Sequence, residues 1–487
     1  MNKYILVLFL LILPKCLLCQ TDDVWQIGTS NPVPMELNFS SGNLDSTINS
    51  RTMSFFITNA SISDTAGNLL FYTNGNYIDN SIYSRMSNST AFNPSLTADT
   101  TLGLNMPQGV IIIPKPGNQF QYYVFHINYE YFFLNGDHFQ PLELRYTLVD
   151  MRMNNGRGDV DTNYKTIKVI DDTLGNGRLA ACKHANGRDW WIISHQYNSN
   201  LFYKVLVTPD TMIVSSQIIG SILTNNNPAG HAIFNRDGTK FAVLQWDTIA
   251  DVMDFNRCSG LFSNYNLVPI SGGEFPYGME FSPSGRFLYV STFLKLYQYD
   301  LTAANIQASR ILIDTLDNFT TFATRQYFFN MKLAPNNRIY ITSFCCSSCL
   351  HQITNPDSLG IACNLIQHSV CFSAWNLIYL PNSPNYLLQA ELNSICDSLN
   401  YTISIENKLR NFEIYPNPTN GKIHINNFSN YSSVNISVYT ILGALSKKII
   451  ANENTIELDV TDFSAGIYFM VLTTPKGQDI FKFSKVD

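Results

Sequence analysis

The chain has 487 residues, a formal charge of −6, 14% charged residues and 13% aromatic residues, among them 26 Tyr and 32 Phe. This length exceeds what one small core organises, so two or more domains are expected. The low charge and the lack of a long Lys/Arg run argue against a phosphate-binding surface, so no nucleic-acid partner is expected; the aromatic, charge-poor balance favours sheet over helix.

The N-terminus reads as an export signal. Lys3 precedes the apolar run ILVLFLLIL at Ile5–Leu13, which is too short to span a bilayer and suits a signal-peptide core. Cys16 and Cys19 raise a lipid-anchor alternative, but Lys15 and Leu18 stand where small residues usually precede a lipidated cysteine. Cleavage before Gln20 is expected, making 1–19 the signal peptide. No other stretch approaches the ~18 apolar residues of a membrane helix, so the mature protein is expected to have no transmembrane span.

Six segments then share one plan: a short strand, a tight turn, and an aromatic-rich strand. They are ASISDTAGNLLFYTNG from Ala60, GVIIIPKPGNQFQYYVFH from Gly109, LAACKHANGRDWWIISH from Leu179, AIFNRDGTKFAVLQ from Ala232, PYGMEFSPSGRFLYVS from Pro276 and MKLAPNNRIYITS from Met331. Their turn residues are Gly67, Gly117, Gly187, Gly238, Gly285 and Asn337, at intervals of 50, 70, 51, 47 and 52. Glycine at such a turn supplies the positive φ that closes it. A strand-built period of this length is the mark of a β-propeller blade, and the segments lack the 3.6-residue periodicity of helical repeats. Seven blades are expected, with a seventh turn near Asn385 and the Val24–Ile27 strand closing the ring; six or eight also fit. The long interval contains two loop-like inserts, Asn128–Gln140 and Met151–Thr173, of the kind that cluster on one face of a repeat array and often carry binding.

The expected domains are a propeller over 20–393, a polar linker over 394–410 and a small Ig-like β-sandwich over 411–487. In the last, Ile423/Ile425, Val434/Ile436/Val438, Ile456/Leu458/Val460 and Phe481/Phe483 alternate with polar residues, the period of half-buried strands. The fold class is therefore all-β.

Within 411–487 the phrases FEIYPNPTNG, VYTILG at Val438–Gly443 and DFSAGIYF at Asp462–Phe469, with the tail FKFSKVD, resemble the type A sorting domain of the type IX secretion system of Bacteroidota. The resemblance assigns the sorting signal to Tyr415, Pro416, Asn417, Pro418, Gly421, Gly443, Gly466 and Tyr468. It implies the type IX machinery as partner and an extracellular or outer-surface destination after Sec export. The repeat region is similar to the N-terminal part of exported Bacteroidota proteins that carry a gliding-motility-associated domain, through SDTAGNLLFYTNG, IIIPKPGNQFQYYVF, YTLVDMRMNNGRGDV, KHANGRDWWIISH and YGMEFSPSGRFLYVS. That likeness implies a fold and a context, not a reaction. Tyr277–Ser291 also resembles, more loosely, the propellers of surface-layer proteins and lactonase-like enzymes.

Eight cysteines remain beyond the signal peptide, five of them within Cys345–Cys371. Cys346-x-x-Cys349 suggests zinc, but no second Cys or His arm follows, so disulfides are expected and no metal or cofactor is assigned. Asp159-x-Asp161-x-Asn163 has calcium-loop spacing, yet Tyr164 and Ile170 occupy the positions that need Gly and Glu; a polar insert is the plainer reading. Trp190 and Trp191 point to opposite sides of one strand and are both expected in the core.

Propeller geometry points to the channel mouth, where residues just before each inner strand converge. These are Gln108, Arg178, His231, Tyr277 and Asn330, with Glu280 just inside. They could hold a polar ligand; capping strand ends and hydrating the channel is the plainer expectation. The function expected is a surface or secreted binding module for an extracellular glycan or protein. The alternative is a propeller hydrolase or lyase acting on an extracellular polymer or lactone through the channel-mouth residues.

Overall fold

In the computed structural model the chain forms two compact units, Met1–Asn400 and Tyr401–Asp487. The residues described are 22–30, 33–95, 98–99, 102–133, 137–223, 231–245, 249–270, 275–321, 324–344, 348–372, 378–392, 394–396, 412–427, 433–440, 445–453, 455–474 and 477–486. The expected signal peptide, most of the linker, and Gly443 lie outside them. The protein is all-β, with 53% strand against 4% helix.

The first unit is a succession of antiparallel sheets, each starting a new hairpin in chain order. S1 contains Val24–Ile27, Met35–Asn38 and Asp45–Ile48; S2 contains Ala60–Ser63, Leu69–Thr73 and Ile78–Asn80. S3 is built on Val110–Pro114, Gln121–Phe133 and Asp137–Asp150. S4 runs through Ala180–Lys183, Trp190–His195, Ser199–Val207 and Met212–Leu223, and S5 through His231–Phe234, Lys240–Gln245, Ile249–Asn256 and Leu261–Pro269. S6 takes Pro276–Phe281, Phe287–Thr292, Lys295–Asp300 and Ile311–Thr315, and S7 Met331–Leu333, Ile339–Ile341, Cys349–Ile353 and Leu365–Cys371. The first strand of each sheet lies beside the first strand of the next, from S1 through S7. S7 packs back on S1 through Trp25, Phe39, Tyr340 and Leu350. The arrangement is propeller-like.

Local sequence explains the hairpins. All six turn residues named above have positive φ, including Asn337 at 62°. At Gly285 (φ 72°) the amide donates to Ser282 O at 2.8 Å, and Ser282 N donates to Phe287 O at 2.8 Å. A side chain there would be strained, and its Cβ would stand 2.7 Å from Asn235 Nδ2.

Period-two alternation then welds the sheets together. In Phe287–Thr292, Leu288 and Val290 join Ala242, Leu244 and Met279 against S5, whereas Phe287 and Tyr289 join Phe328, Met331, Ile339 and Ile341 of S7 and its approach. In S5, Phe241 and Val243 turn to S4 while Ala242 and Leu244 turn to S6. Middle strands are thus apolar on both faces, which is why they read as continuous hydrophobic runs. Each such side chain contributes about 1.5–3 kcal/mol on full burial. Trp190 and Trp191 go to different clusters on the two sides of S4.

Several expectations need correction. The strand expected to close the ring, Val24–Ile27, is the first of a sheet of its own, pairing with Met35–Asn38, and its Trp25 and Ile27 share a cluster with Tyr340 and Leu350 of S7. Asn128–Gln140 is not a loop insert, because both strands of the S3 hairpin continue into it. Met151–Thr173 contains two strands, Asp159–Val160 and Ile167–Asp171, that pair with the third strand of S3. Asp159 is occupied by Ser87 Oγ (2.5 Å) and Asn88 N (3.0 Å), and Asp161 accepts from Asn163 N. Cys349 is bonded to Cys371, which removes it as a zinc thiolate, and Cys258 is bonded to Cys396.

The expected turn near Asn385 forms, Leu388 N donating to Asn385 O at 3.4 Å, but it joins no strands. No strand is formed over 378–392; that stretch runs extended among the first strands. Ile378 O accepts from Thr342 Oγ1 (2.6 Å), Leu380 N donates to Asn330 Oδ1 (3.1 Å), and Asn382 N donates to Asn59 O (2.8 Å). Asn382 Nδ2 bridges Val110 O and Leu179 O, both at 2.9 Å. Farther along, Tyr386 donates to Ile112 O (2.8 Å), Lys183 Nζ donates to Tyr386 O (2.7 Å), and Glu391 N donates to Ala185 O (2.8 Å). Asn59, Leu179 and Asn330 precede first strands, while Ala185 lies in the turn after one. The segment therefore threads from one end of the inner strands to the other. The Cys258–Cys396 bond fastens its far end.

In the second unit, a three-stranded sheet (Phe412–Tyr415, Lys422–Asn427, Thr455–Asp459) and a four-stranded one (Val434–Thr440, Leu445–Ala451, Gly466–Thr474, Gly477–Lys485) enclose one apolar core. Ile423, Ile425, Val434, Ile436, Val438, Leu458 and Val460 are buried there, as their alternation predicts.

Candidate functional site

A cavity of about 190 Å³ lies where the thread passes the inner strands. Of the predicted residues, Gln108, His231, Glu280 and Asn330 line it, but Arg178 and Tyr277 do not.

Each of the four is engaged in holding the fold. Gln108, at φ 47°, forms a two-point amide clamp on S5: its Oε1 accepts from Ala232 N at 2.7 Å and its Nε2 donates to Ala232 O at 2.8 Å. Asn330 holds the thread at Leu380. His231 Nδ1 accepts from Met279 N (3.2 Å), leaving the ring proton on Nε2, and burial lowers its pKa to about 4. Glu280 accepts from Phe281 N and Leu333 N, both at 2.9 Å. Burial raises its pKa to about 7 against the opposing pull of those amides and Lys332.

Arg178 is 2% exposed, and its guanidinium finds no hydrogen-bond partner among the described residues. Burial lowers its pKa to about 10, and its charge in turn helps keep the buried His195 neutral. Tyr277 instead lies flat on Phe293, ring centroids 3.7 Å apart and planes 10° from parallel. Tyr327, Phe329 and Phe344 surround Phe293 within 6.0 Å, and Phe344 is 46% exposed. This places a partly exposed aromatic cluster between S6 and S7, beside the cavity rather than inside it.

Three cavity groups were not foreseen. Lys332 Nζ sits 3.0 Å from Asp22 Oδ2 and donates to Ser383 Oγ of the thread at 2.5 Å. It also lies over the Trp25 ring at 5.5 Å. Burial raises the pKa of Asp22, Lys332 opposing. The signal was present in the repeat: Lys332 and Glu280 both stand five residues before their turn residues, Asn337 and Gly285. Asp22 and Ser383 have no such register.

Chemically, a carboxyl with a pKa near neutrality can carry a proton either way. Yet both Glu280 oxygens are taken by backbone amides, and the cavity is smaller than the ~300–1,000 Å³ of typical small-molecule sites. Thread residues Leu380, Pro381, Ser383 and Tyr386 form part of its wall.

The sorting phrase of the second unit also has a defined geometry. Asn417 clamps the last strand, its Nδ2 donating to Lys482 O (2.9 Å) and its Oδ1 accepting from Ser484 N (3.0 Å). Pro416 and Pro418 flank that clamp, each after a cis peptide bond. Gly421 packs where a Cβ would meet Thr461 Cγ2 at 2.7 Å. Tyr468 is buried against Phe463 and Phe483 and donates to Ser464 O (2.9 Å). Gly466 opens that strand and Tyr415 is 44% exposed.

Residues 413–485 match the family model described as the secretion system C-terminal sorting domain. The C-terminal module is a type IX sorting domain. It directs the protein through the type IX machinery to the extracellular or cell-surface location. No curated protein matches the chain. Among solved structures, a functionally unknown protein from Desulfotomaculum acetoxidans aligns at 9% identity over 74% of this chain and 99% of its own, with a TM-score of 0.39. The Cps50 (Swd1) β-propeller domain of Myceliophteria thermophila aligns at 11% identity over 66% and 90%, with a TM-score of 0.36. Likenesses this low carry no argument about function. Among the described residues, no helix is long and apolar enough to cross a membrane, which says nothing of strands.

Proposed function

We propose that the protein is a surface-delivered or released binding module for an extracellular glycan or protein, built as a seven-bladed propeller of S1–S7 followed by an Ig-like sorting sandwich. In this reading 1–19 is a cleaved signal peptide, 20–393 the propeller, 394–410 the linker and 411–487 the sorting domain. The context is that of exported Bacteroidota proteins related to gliding motility. The observation that carries the binding reading is the contrast between the two faces of the candidate site. The axial space is taken up by the protein's own thread, while the Tyr277–Phe293–Phe344 cluster beside it is partly open. Aromatic faces bind sugar C–H surfaces and apolar protein side chains without needing charge. Binding of the full mature chain to a glycan array and to surface-protein extracts tests this. Phe293→Ala together with Phe344→Ala is expected to abolish the strongest signal without unfolding the protein; retention of that signal would sink the assignment of the surface.

One observation favours the second reading, a hydrolase or lyase: Glu280 has a pKa near 7 and lines the same cavity as His231. Turnover of a lactone or extracellular polymer by the full chain, lost in Glu280→Gln, would support it. Equal turnover by both forms, or none, would remove it.

A further inference from the structure

A second cavity, about 320 Å³, opens at the edge of S2. Its wall includes Asn76, Tyr77, Arg85, Thr90, Asn93 and Ser95. Tyr77 is 6% exposed and anchored in a cluster with Met53, Phe55 and Tyr72. Arg85 is exposed, and its guanidinium carbon lies 3.5 Å above the Tyr77 ring centroid. That contact orients the planar fork without consuming its charge. Arg85 makes no ion pair among the described residues.

The surrounding charges favour an anion. Lys165 reaches the wall, with Nζ 2.7 Å from Thr90 O. Asp79 is the carboxylate behind Tyr77. It is 1% exposed, bound by Tyr72 at 3.4 Å, and acted on by two guanidinium groups, Arg51 and Arg85. Arg51 is itself buried and donates to Ile27 O (2.7 Å) and Gly28 O (3.2 Å). Glu36 is engaged by Gln26 and Tyr83. Asp79, Glu36 and Asp159, which is held by Ser87 and Asn88, all stand off the wall, and no carboxylate is among the described lining residues, whereas Arg85 is.

The rest of the wall mixes amides and hydroxyls with the apolar surface of Tyr77, Ala91 and Pro94. Asn93 is fixed by Ile127 O (3.1 Å) and by Ser95 N (3.3 Å). Such a wall suits a hydroxylated ring better than a peptide side chain, and the volume reaches the lower end of typical ligand sites.

We propose that this pocket binds an acidic sugar, the uronic-acid unit of an extracellular polysaccharide, with Arg85 forking its carboxylate and the amide and hydroxyl groups facing its ring. A guanidinium–carboxylate fork gives two parallel charge-assisted hydrogen bonds that lysine cannot reproduce. The site is separate from the Tyr277 cluster and stands whether or not that cluster binds anything.

Calorimetry of the full mature chain with trigalacturonate, maltotriose, a sulfated trisaccharide and an acetylated Ala-Asp dipeptide tests it. Trigalacturonate should bind, at least tenfold more weakly to Arg85→Gln and by an intermediate amount to Arg85→Lys, with thermal melting unchanged because Arg85 is exposed. Maltotriose should bind no better to the wild type than to Arg85→Gln. The proposal is overturned if trigalacturonate does not bind, if Arg85→Gln binds it equally, or if the dipeptide or the sulfated sugar binds as tightly.

Discussion

Two stretches of nearly the same composition behave in opposite ways. Ser282-Pro283-Ser284-Gly285 closes the S6 hairpin, whereas Pro381-Asn382-Ser383-Pro384-Asn385 runs on as part of the thread. The hairpin has a residue at positive φ and flanking strands that pair with each other. The thread has no positive-φ residue among its described positions, and two prolines remove backbone donors. Its remaining polar groups find partners on the first strands of other sheets, through Asn382, Tyr386 and Asn330. Turn-forming residue types therefore close a hairpin only when the neighbouring runs can pair; otherwise the same residues dock elsewhere.

The sharpest way to break the contrast is in the thread. Tyr386 is 2% exposed and packs in the cluster that joins S2, S3 and S4. Tyr386→Ala is expected to cost about 3–5 kcal/mol in denaturant unfolding, and Tyr386→Phe only about 1 kcal/mol, the worth of one hydrogen bond. Equal effects from both would mean that the thread is held by polar contacts alone. Next comes the clasp. Joint replacement of Cys258 and Cys396 by Ser is expected to lower stability by about 2–4 kcal/mol under oxidising conditions, since the closed loop spans 138 residues. No change in the unfolding midpoint would show that the thread docks independently of its clasp.

In the hairpin, Gly285→Val should cost about 2 kcal/mol, through a φ that a β-branched residue resists. Gly285→Asn should cost less, as Asn337 already fills that role in S7. The pH-dependent effect concerns Glu280, which belongs to a repeat strand and faces the thread. Its folded pKa, near 7, lies above its ordinary value of 4.5. The folded state thus binds the proton more tightly. The resulting stabilisation is fully present below about pH 4.5 and is lost as pH rises through 7. The stability difference between wild type and Glu280→Gln should shift against the wild type over that window, by on the order of 3 kcal/mol. His231, with its pKa lowered to about 4, acts in the opposite direction on acidification but is common to both proteins. A flat difference across pH 4.5–7 would show that Glu280 is solvated in the folded state.

Some of the site was legible and some was not, for identifiable reasons. Gln108, His231, Glu280 and Asn330 could be placed near the cavity because each stands in, or just before, the first strand of its sheet. Lys332 has the same offset as Glu280 and could have been found. Arg178 shares the position of Gln108 and also has positive φ, yet its side chain is buried away from the cavity. Backbone register sets where a residue starts but not which way a long side chain goes. Tyr277 also belongs to a first strand, but its ring stacks on Phe293 and meets Phe329 instead of lining the cavity.

The sequence by itself determined what depends on near neighbours along the chain. That covers the spacing of positive-φ turn residues, the alternation that buries Leu288 and Phe287 on opposite faces, and the ordered phrases of the sorting domain. Tertiary structure alone decided the course of the thread, the Cys258–Cys396 and Cys349–Cys371 pairings, the Asp22–Lys332 contact, and the pocket under Arg85. The clasp, the Asp22–Lys332 contact and the thread's docking join residues from 36 to more than 300 positions apart. No local periodicity records such contacts, because the partners meet only after the intervening sheets have packed.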